Sequence, residues 1–165
     1  MPAFIQFDAD SLIVLKNTLL ASKPYEGCAL LIGDNNLSVN YHKRNGYKIQ
    51  VIWPCCNIWE PGILNPYNTQ NPKDKPAEKG CTRKNRFAID PREQLLAQKW
   101  ARGRNLKILG SAHSHPYGEA LPSAIDRAWK FAPGLMIIVN GAGSAKAWWV
   151  ENDQSSKPKE LTILN

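Results

Sequence analysis

The sequence predicts a single α/β domain with a mixed central β-sheet and helices packed on both faces. Three observations carry this expectation. Apolar runs of strand length recur at 27–33, 106–109 and 135–139, and 47–53 reads as a further strand, each bounded by Gly, Pro, Asn or Asp. Helix-compatible stretches interleave with them, one before the first run, after Asp10, and two between later ones, after Asp90 and Ser123. The length of 165 residues suits one domain with one sizeable core.

In chain order, residues 3–7 alternate weakly and read as a strand. Asp8 or Asp10 then caps a helix that places Leu12, Leu15 and Leu19 on one face, and Pro24 obliges that helix to stop before it. Glu26 stands at the entrance of the buried strand 27–33. Read locally it is an exposed residue ahead of the sheet, because an unpaired carboxylate is costly to desolvate. Asp34-Asn35-Asn36 has turn chemistry, so 37–41 is expected to pair back as a hairpin. Asn45-Gly46 signals another turn before the strand 47–53, and His42 falls at the surface between them, outside any ligand set.

From 54 to 86 the periodicity is lost, with Pro61, Pro66, Pro72 and Pro76 interrupting any regular element. Its second half carries Lys73, Lys75, Lys79, Arg83, Lys84 and Arg86 against Asp74 and Glu78. A loop of this length is functional or disordered. Asp90-Pro91-Arg92-Glu93 then starts a helix, with an acidic cap, proline in the first turn and Glu three residues after the cap. That helix runs through Leu95, Leu96 and Trp100 and ends at Gly103.

The strand from 106 leads into His113 and His115, which point to the same side because they are two apart on an extended backbone. Pro116 stops the strand. Seven residues after His115 comes Ser123-Ala124-Ile125-Asp126, opening a helix-compatible run to Phe131. The strand 135–139, a turn at 141–144 and a strand at 145–150 follow, with Trp148 and Trp149 on opposite faces; 161–164 adds an edge strand.

Two His and one Asp are a sensible set of zinc ligands, and three protein ligands leave a fourth tetrahedral position open, as catalytic zinc sites do. Such an ion lowers the pKa of water to about 7 and polarises a carbonyl. Ser123 is placed to hydrogen-bond an oxygen that gains charge. Ser-x-x-Asp is equally the pattern of an N-cap with an acidic first turn, and the two readings are compatible.

Glu26, His113-Ser114-His115 and Ser123-Ala124-Ile125-Asp126 together resemble the JAMM (MPN+) metalloprotease family, whose signature is an upstream Glu, His-Ser/Thr-His, seven residues and Ser-x-x-Asp. The likeness extends to residues 24–28, to Asn57 and to Phe87-Ala88-Ile89-Asp90-Pro91, and so spans most of the chain. It implies the MPN fold, similar to the cytidine deaminase arrangement, over a single domain 1–165 with an enlarged basic insertion at about 60–86. It implies one zinc ion per chain on His113, His115 and Asp126, with Glu26 handling the proton and Ser123 steadying the oxyanion. It also implies hydrolysis of an amide or isopeptide bond at the C-terminus of a ubiquitin-like or sulfur-carrier protein, the substrate class of compact prokaryotic members. The insertion is then either a grip on that protein or a solvated loop. The competing reading is a non-catalytic MPN scaffold that binds partners without metal; such modules lack part of the motif, and all five positions are intact here.

Composition narrows the partners. A formal net charge of +7 and a pI of about 9.3 favour acidic ones. No zinc-finger, RRM or KH signature supports nucleic acid among them. No apolar run reaches the ~18 residues of a membrane span, and residues 1–10 do not read as a secretory signal, so the expected address is the cytoplasm. The four cysteines are expected to be reduced thiols, Cys28 as buried filler, Cys55 and Cys56 as neighbours unsuited to a mutual bond, and Cys81 in a polar loop.

Overall fold

The computed structural model describes residues 1–8, 10–39, 44–61, 80–128, 134–151 and 156–164. In order they form β1 (Phe4–Phe7), α1 (Ser11–Leu20), β2 (Cys28–Val39), β3 (Arg44–Cys55), α2 (Pro91–Arg102), β4 (Lys107–His115), α3 (Ala124–Ala128), β5 (Leu135–Asn140), β6 (Ala145–Trp149) and β7 (Lys159–Leu164). His42, Phe131 and most of the basic insertion (62–79) lie outside the described residues.

The sheet is mixed, as expected: β1 runs parallel to β3 and β7, and β4 parallel to β5, while the other pairs are antiparallel. It is not, however, a plain sheet sandwiched between helices. Its order is β1-β3-β2-β4-β5-β6-β7, and β7 closes it by pairing with β1, Phe4 opposite Thr162. The expected edge strand at 161–164 is therefore an interior one, and closure satisfies backbone groups that two outer edges would expose.

Alternation along β2 assigns its neighbours. Ala29 and Leu31 join Leu15 and Leu19 of α1 in the main cluster with Ile5, Phe7, Ile137 and Val139. Leu30 and Ile32 join Ala97 and Ala101 of α2. Each large aliphatic side chain fully removed from water contributes about 1.5–3 kcal/mol. The buried side of α2 is alanine, which lets the helix approach the sheet closely, while Leu95 and Leu96 face outward. Trp149 packs against the main cluster and Trp148 against Met136 and Ile138, on opposite faces as expected.

Three local expectations are corrected. Asp34-Asn35-Asn36 is not a turn. β2 runs straight through it, with Asp34 opposite Lys48 and Leu37 opposite Gly46, so two residues stand against one in a β-bulge. Polar residues fit both roles, since each leaves a backbone group out of the ladder. Residues 40–43, which link β2 to β3 in the chain, lie outside the described residues. Asn45-Gly46 is not a turn either. Gly46 lies within β3 opposite Phe4, whose ring occupies the space a side chain would need.

The third correction concerns helix ends. Asp10 stands at the N-cap of α1 without a side-chain capping bond, and the Asp8 carbonyl accepts from the Ser11 amide. Asp90 does cap α2, accepting from the Arg92 amide at 2.8 Å. Glu93 does not reach back to complete a capping box; its Oε1 accepts from Trp53 Nε1 at 2.9 Å and fastens α2 to β3. Gly103 does end α2, as expected, but with a helical φ of −63°; the left-handed residue is Asn105 at 56°.

All four cysteines are free thiols. Burial pushes the thiols of Cys28 and Cys55 up, Cys55 to about 12, which keeps both protonated and inert. No helix among the described residues is long and apolar enough to cross a membrane.

Candidate metal centre

The centre is built on the end of β4, a strand held on both sides by β2 and β5. His113 lies opposite Cys28 and Ile138, and His115 opposite Asn140. Ala112 before them and Ser114 between them face the other way, Ala112 into the main cluster. The two imidazoles therefore share a side, and their Nε2 atoms lie 3.0 Å apart.

Asp126 faces them from the first turn of α3. Its Oδ1 is 3.4 Å from His113 Nε2 and its Oδ2 3.4 Å from His115 Nε2. The turn before it is locked reciprocally. The Ser123 amide donates to Asp126 Oδ2 at 2.7 Å, and the Asp126 amide donates to Ser123 Oγ at 3.1 Å. The capping reading of Ser-x-x-Asp is thus realised, and it holds the carboxylate against the imidazoles.

One atom of each residue lies within 4.8 Å of the others, so His113, His115 and Asp126 form a group that could hold a metal ion. The protonation pattern favours one. His115 Nδ1 lies 2.8 Å from the Glu119 carbonyl, which only accepts, so Nδ1 carries the hydrogen. In the neutral ring Nε2 is then a bare lone pair aimed at another imidazole nitrogen and a carboxylate. Such a convergence calls for a positive charge at its focus, a proton or a cation. Burial pulls the His115 pKa down, but the Asp126 carboxylate, the Glu119 carbonyl and Glu26 outweigh it and leave it raised. Burial likewise raises Asp126, and His113, His115 and Ser123 more than reverse that, holding it far below the usual carboxylate range. Two nitrogens and one carboxylate oxygen suit zinc. Behind them, His113 Nδ1 is buried without a hydrogen-bond partner among the described residues, and the Phe87 ring stacks on the imidazole at 4.5 Å.

Glu26 approaches from the start of β2, with Oε1 3.9 Å from His115 Nε2. It is 4% exposed, so the local reading of a solvated residue ahead of the sheet is overturned. Burial, with a smaller push from Asp126, raises its pKa to about 8 against the pull of His115 and Arg86. A carboxyl poised near neutrality beside this group has the affinity that general acid–base work needs.

Two polar residues without an assigned role in the sequence turn out to organise the site. Ser114, fully buried, accepts from the Gly27 amide at 2.8 Å and donates to the Leu19 carbonyl at 3.3 Å. It ties the histidine strand to α1 and to the residue after Glu26. Asn57 bonds the Glu26 and Arg86 carbonyls and the Trp59 and Ala88 amides. The only signal for either was its place in or near the motif segments. A small hollow lined by Trp59, Arg86, Phe87, Ile125 and Asp126 opens beside the group.

A closed mixed sheet presenting two histidines to an aspartate on a following helix defines a JAB/MPN-type domain. The chain belongs to that family: the profile of prokaryotic homologues of the JAB domain matches residues 11–151. A desampylase of Pyrococcus furiosus is 40% identical over 79 residues, 47% of this chain; the chain spans about half the length (55%) of that curated relative. The solution structure of a protein from Desulfitobacterium hafniense superposes with a TM-score of 0.70 at 23% identity, over 98% of this chain and 92% of that one. A second, from Salinibacter ruber, gives 0.56 at 21% identity, over 97% and 92%. These two likenesses concern the fold.

Proposed function

We propose that this protein is a zinc-dependent metallopeptidase that hydrolyses amide or isopeptide bonds at the C-terminus of a ubiquitin-like or sulfur-carrier protein. The observation that carries the proposal is the convergence of His113 Nε2, His115 Nε2 and the Asp126 carboxylate on one point, with Glu26 beside it. Zinc held there would supply Lewis-acid charge that acidifies water and polarises a carbonyl. The chain supplies the rest. Glu26, beside His115, takes a proton from the attacking water on its carboxylate and delivers it to the leaving nitrogen. Ser123 Oγ accepts from the Asp126 amide, which leaves its own hydrogen to donate to the carbonyl oxygen as that oxygen gains charge. The modifier as substrate is supported by the desampylase relative, and an acidic protein suits the charge of +7.

The test is metal content and cleavage together. Purified protein should carry about one zinc per chain, the His113→Ala, His115→Ala double variant none. The loaded protein should release a reporter amide from the C-terminus of a ubiquitin-like protein. Absence of zinc from the wild type after incubation with it, or equal cleavage by the double variant, would overturn the proposal.

A further inference from the structure

We infer that Asn57 is a positioning residue for this centre, holding Glu26 and the Phe87–His113 stack in one frame; the inference rests on the function proposed above. Glu26 precedes the first ladder residue of β2, Cys28, so no strand partner orients it. Both its backbone polar groups turn instead to the irregular segment beyond β3. Its amide donates to the Arg83 carbonyl at 2.7 Å, and its carbonyl accepts from Asn57 Nδ2 at 3.0 Å.

The same carboxamide continues outward. Nδ2 also donates to the Arg86 carbonyl at 2.9 Å, and Oδ1 accepts from the Trp59 amide at 3.0 Å and the Ala88 amide at 3.2 Å. Arg86 and Ala88 flank Phe87, the ring stacked on His113. Among the described residues backbone pairing here is slight, a bridge of Asn57 with Ile89 and a bond from the Ile58 amide to the Ala88 carbonyl. The amide therefore does the work that a ladder does elsewhere in the sheet. It uses two donors and two acceptor sites at once, which neither an aspartate nor an aliphatic side chain reproduces. Losing it frees the general-base candidate and the ring behind a ligand together, while His113, His115, Asp126 and their strand keep their own bonds.

Two variants test this. Asn57→Asp keeps the acceptor and loses both donors; Asn57→Ala removes all four bonds without adding charge. With a ubiquitin-like protein bearing a C-terminal fluorogenic amide, both should lower kcat by roughly 10- to 100-fold, the cost of a misplaced group. KM should stay within about twofold and zinc stoichiometry should be unchanged. In the zinc-free Asn57→Ala protein, amide hydrogen exchange should accelerate at Glu26 and Ala88 and not along β4 and β5, whereas Asn57→Asp, which keeps the acceptor of the Ala88 amide, should accelerate it at Glu26. Wild-type kcat in both variants, or exchange that rises equally through β4 and β5, would overturn the inference. Should the wild type itself fail to cleave, the proposed function falls, and local acceleration of exchange still decides whether Asn57 frames the site.

Discussion

Glu26 shows how much a few ångströms of burial change a residue's chemistry. Beside His115, and 4% exposed, it holds its proton up to about pH 8 in the zinc-free fold, against about 4.5 as the free side chain. Between those values the folded chain binds the proton and the unfolded chain does not. Glu26 therefore costs nothing below the lower value, and stability falls as pH rises through the window. Glu26→Gln should flatten that decline when zinc-free protein is unfolded in urea from pH 5 to 8. The same variant should lose cleavage by roughly 10²–10⁴-fold while keeping its zinc, as metal analysis beside kinetics will report. At this scale the sequence was informative wherever residue type and spacing specify chemistry. His113, His115 and Asp126 come together, with Ser123 bonded to Asp126; Glu26 lies alongside, a place that its local pattern did not indicate and that the family resemblance alone implied. The sequence marked Ser114 and Asn57 only through the family resemblance and gave neither a role, because a polar side chain that bonds backbone carries no spacing rule to betray it.

Among the elements, strands and helices were legible and their punctuation was not. Asn and Gly mark turns, bulges and close approaches alike, so Asn35 and Gly46 read as turns when one is a bulge and the other lies under a phenyl ring. The two glycines read as punctuation now separate by experiment. Gly46→Ala must displace the buried Phe4 ring and should destabilise the protein by about 1–3 kcal/mol. Gly103→Ala, at a helical φ of −63° with ordinary contacts only, should stabilise it by about 0.4–1 kcal/mol through the unfolded chain. Denaturant midpoints of the two variants check both signs. Glu93 makes a similar point, since its capping-box spacing is satisfied in sequence while its carboxylate serves Trp53.

For the whole molecule, the α/β class and the mixed sheet were readable, and the closure was not. Closure depends on a pairing between β1 and β7, and no local pattern encodes a partner about 158 positions away (Phe4 to Thr162). The candidate metal centre also draws on distant segments, His113 and His115 from β4 and Asp126 from α3, with Glu26 at the head of β2. An ion bound to the fold and not to the unfolded chain adds stability by mass action, about 2.7 kcal/mol at a hundredfold excess over Kd. Chelation should therefore lower Tm, zinc should restore it, and the His113→Ala, His115→Ala variant should respond to neither; calorimetry with and without chelator reads all three.

The seam between β1 and β7 has a consequence for biosynthesis. Long-range pairings of this kind are late and slow to form. A chain growing on the ribosome cannot complete the ring until residues 159–164 emerge, whereas all three candidate ligands lie at or before position 126. Nascent protein thus offers its histidines and aspartate to the surrounding ion pool before its two outermost strands can meet, so the order of events during translation allows metal capture to precede the final act of folding.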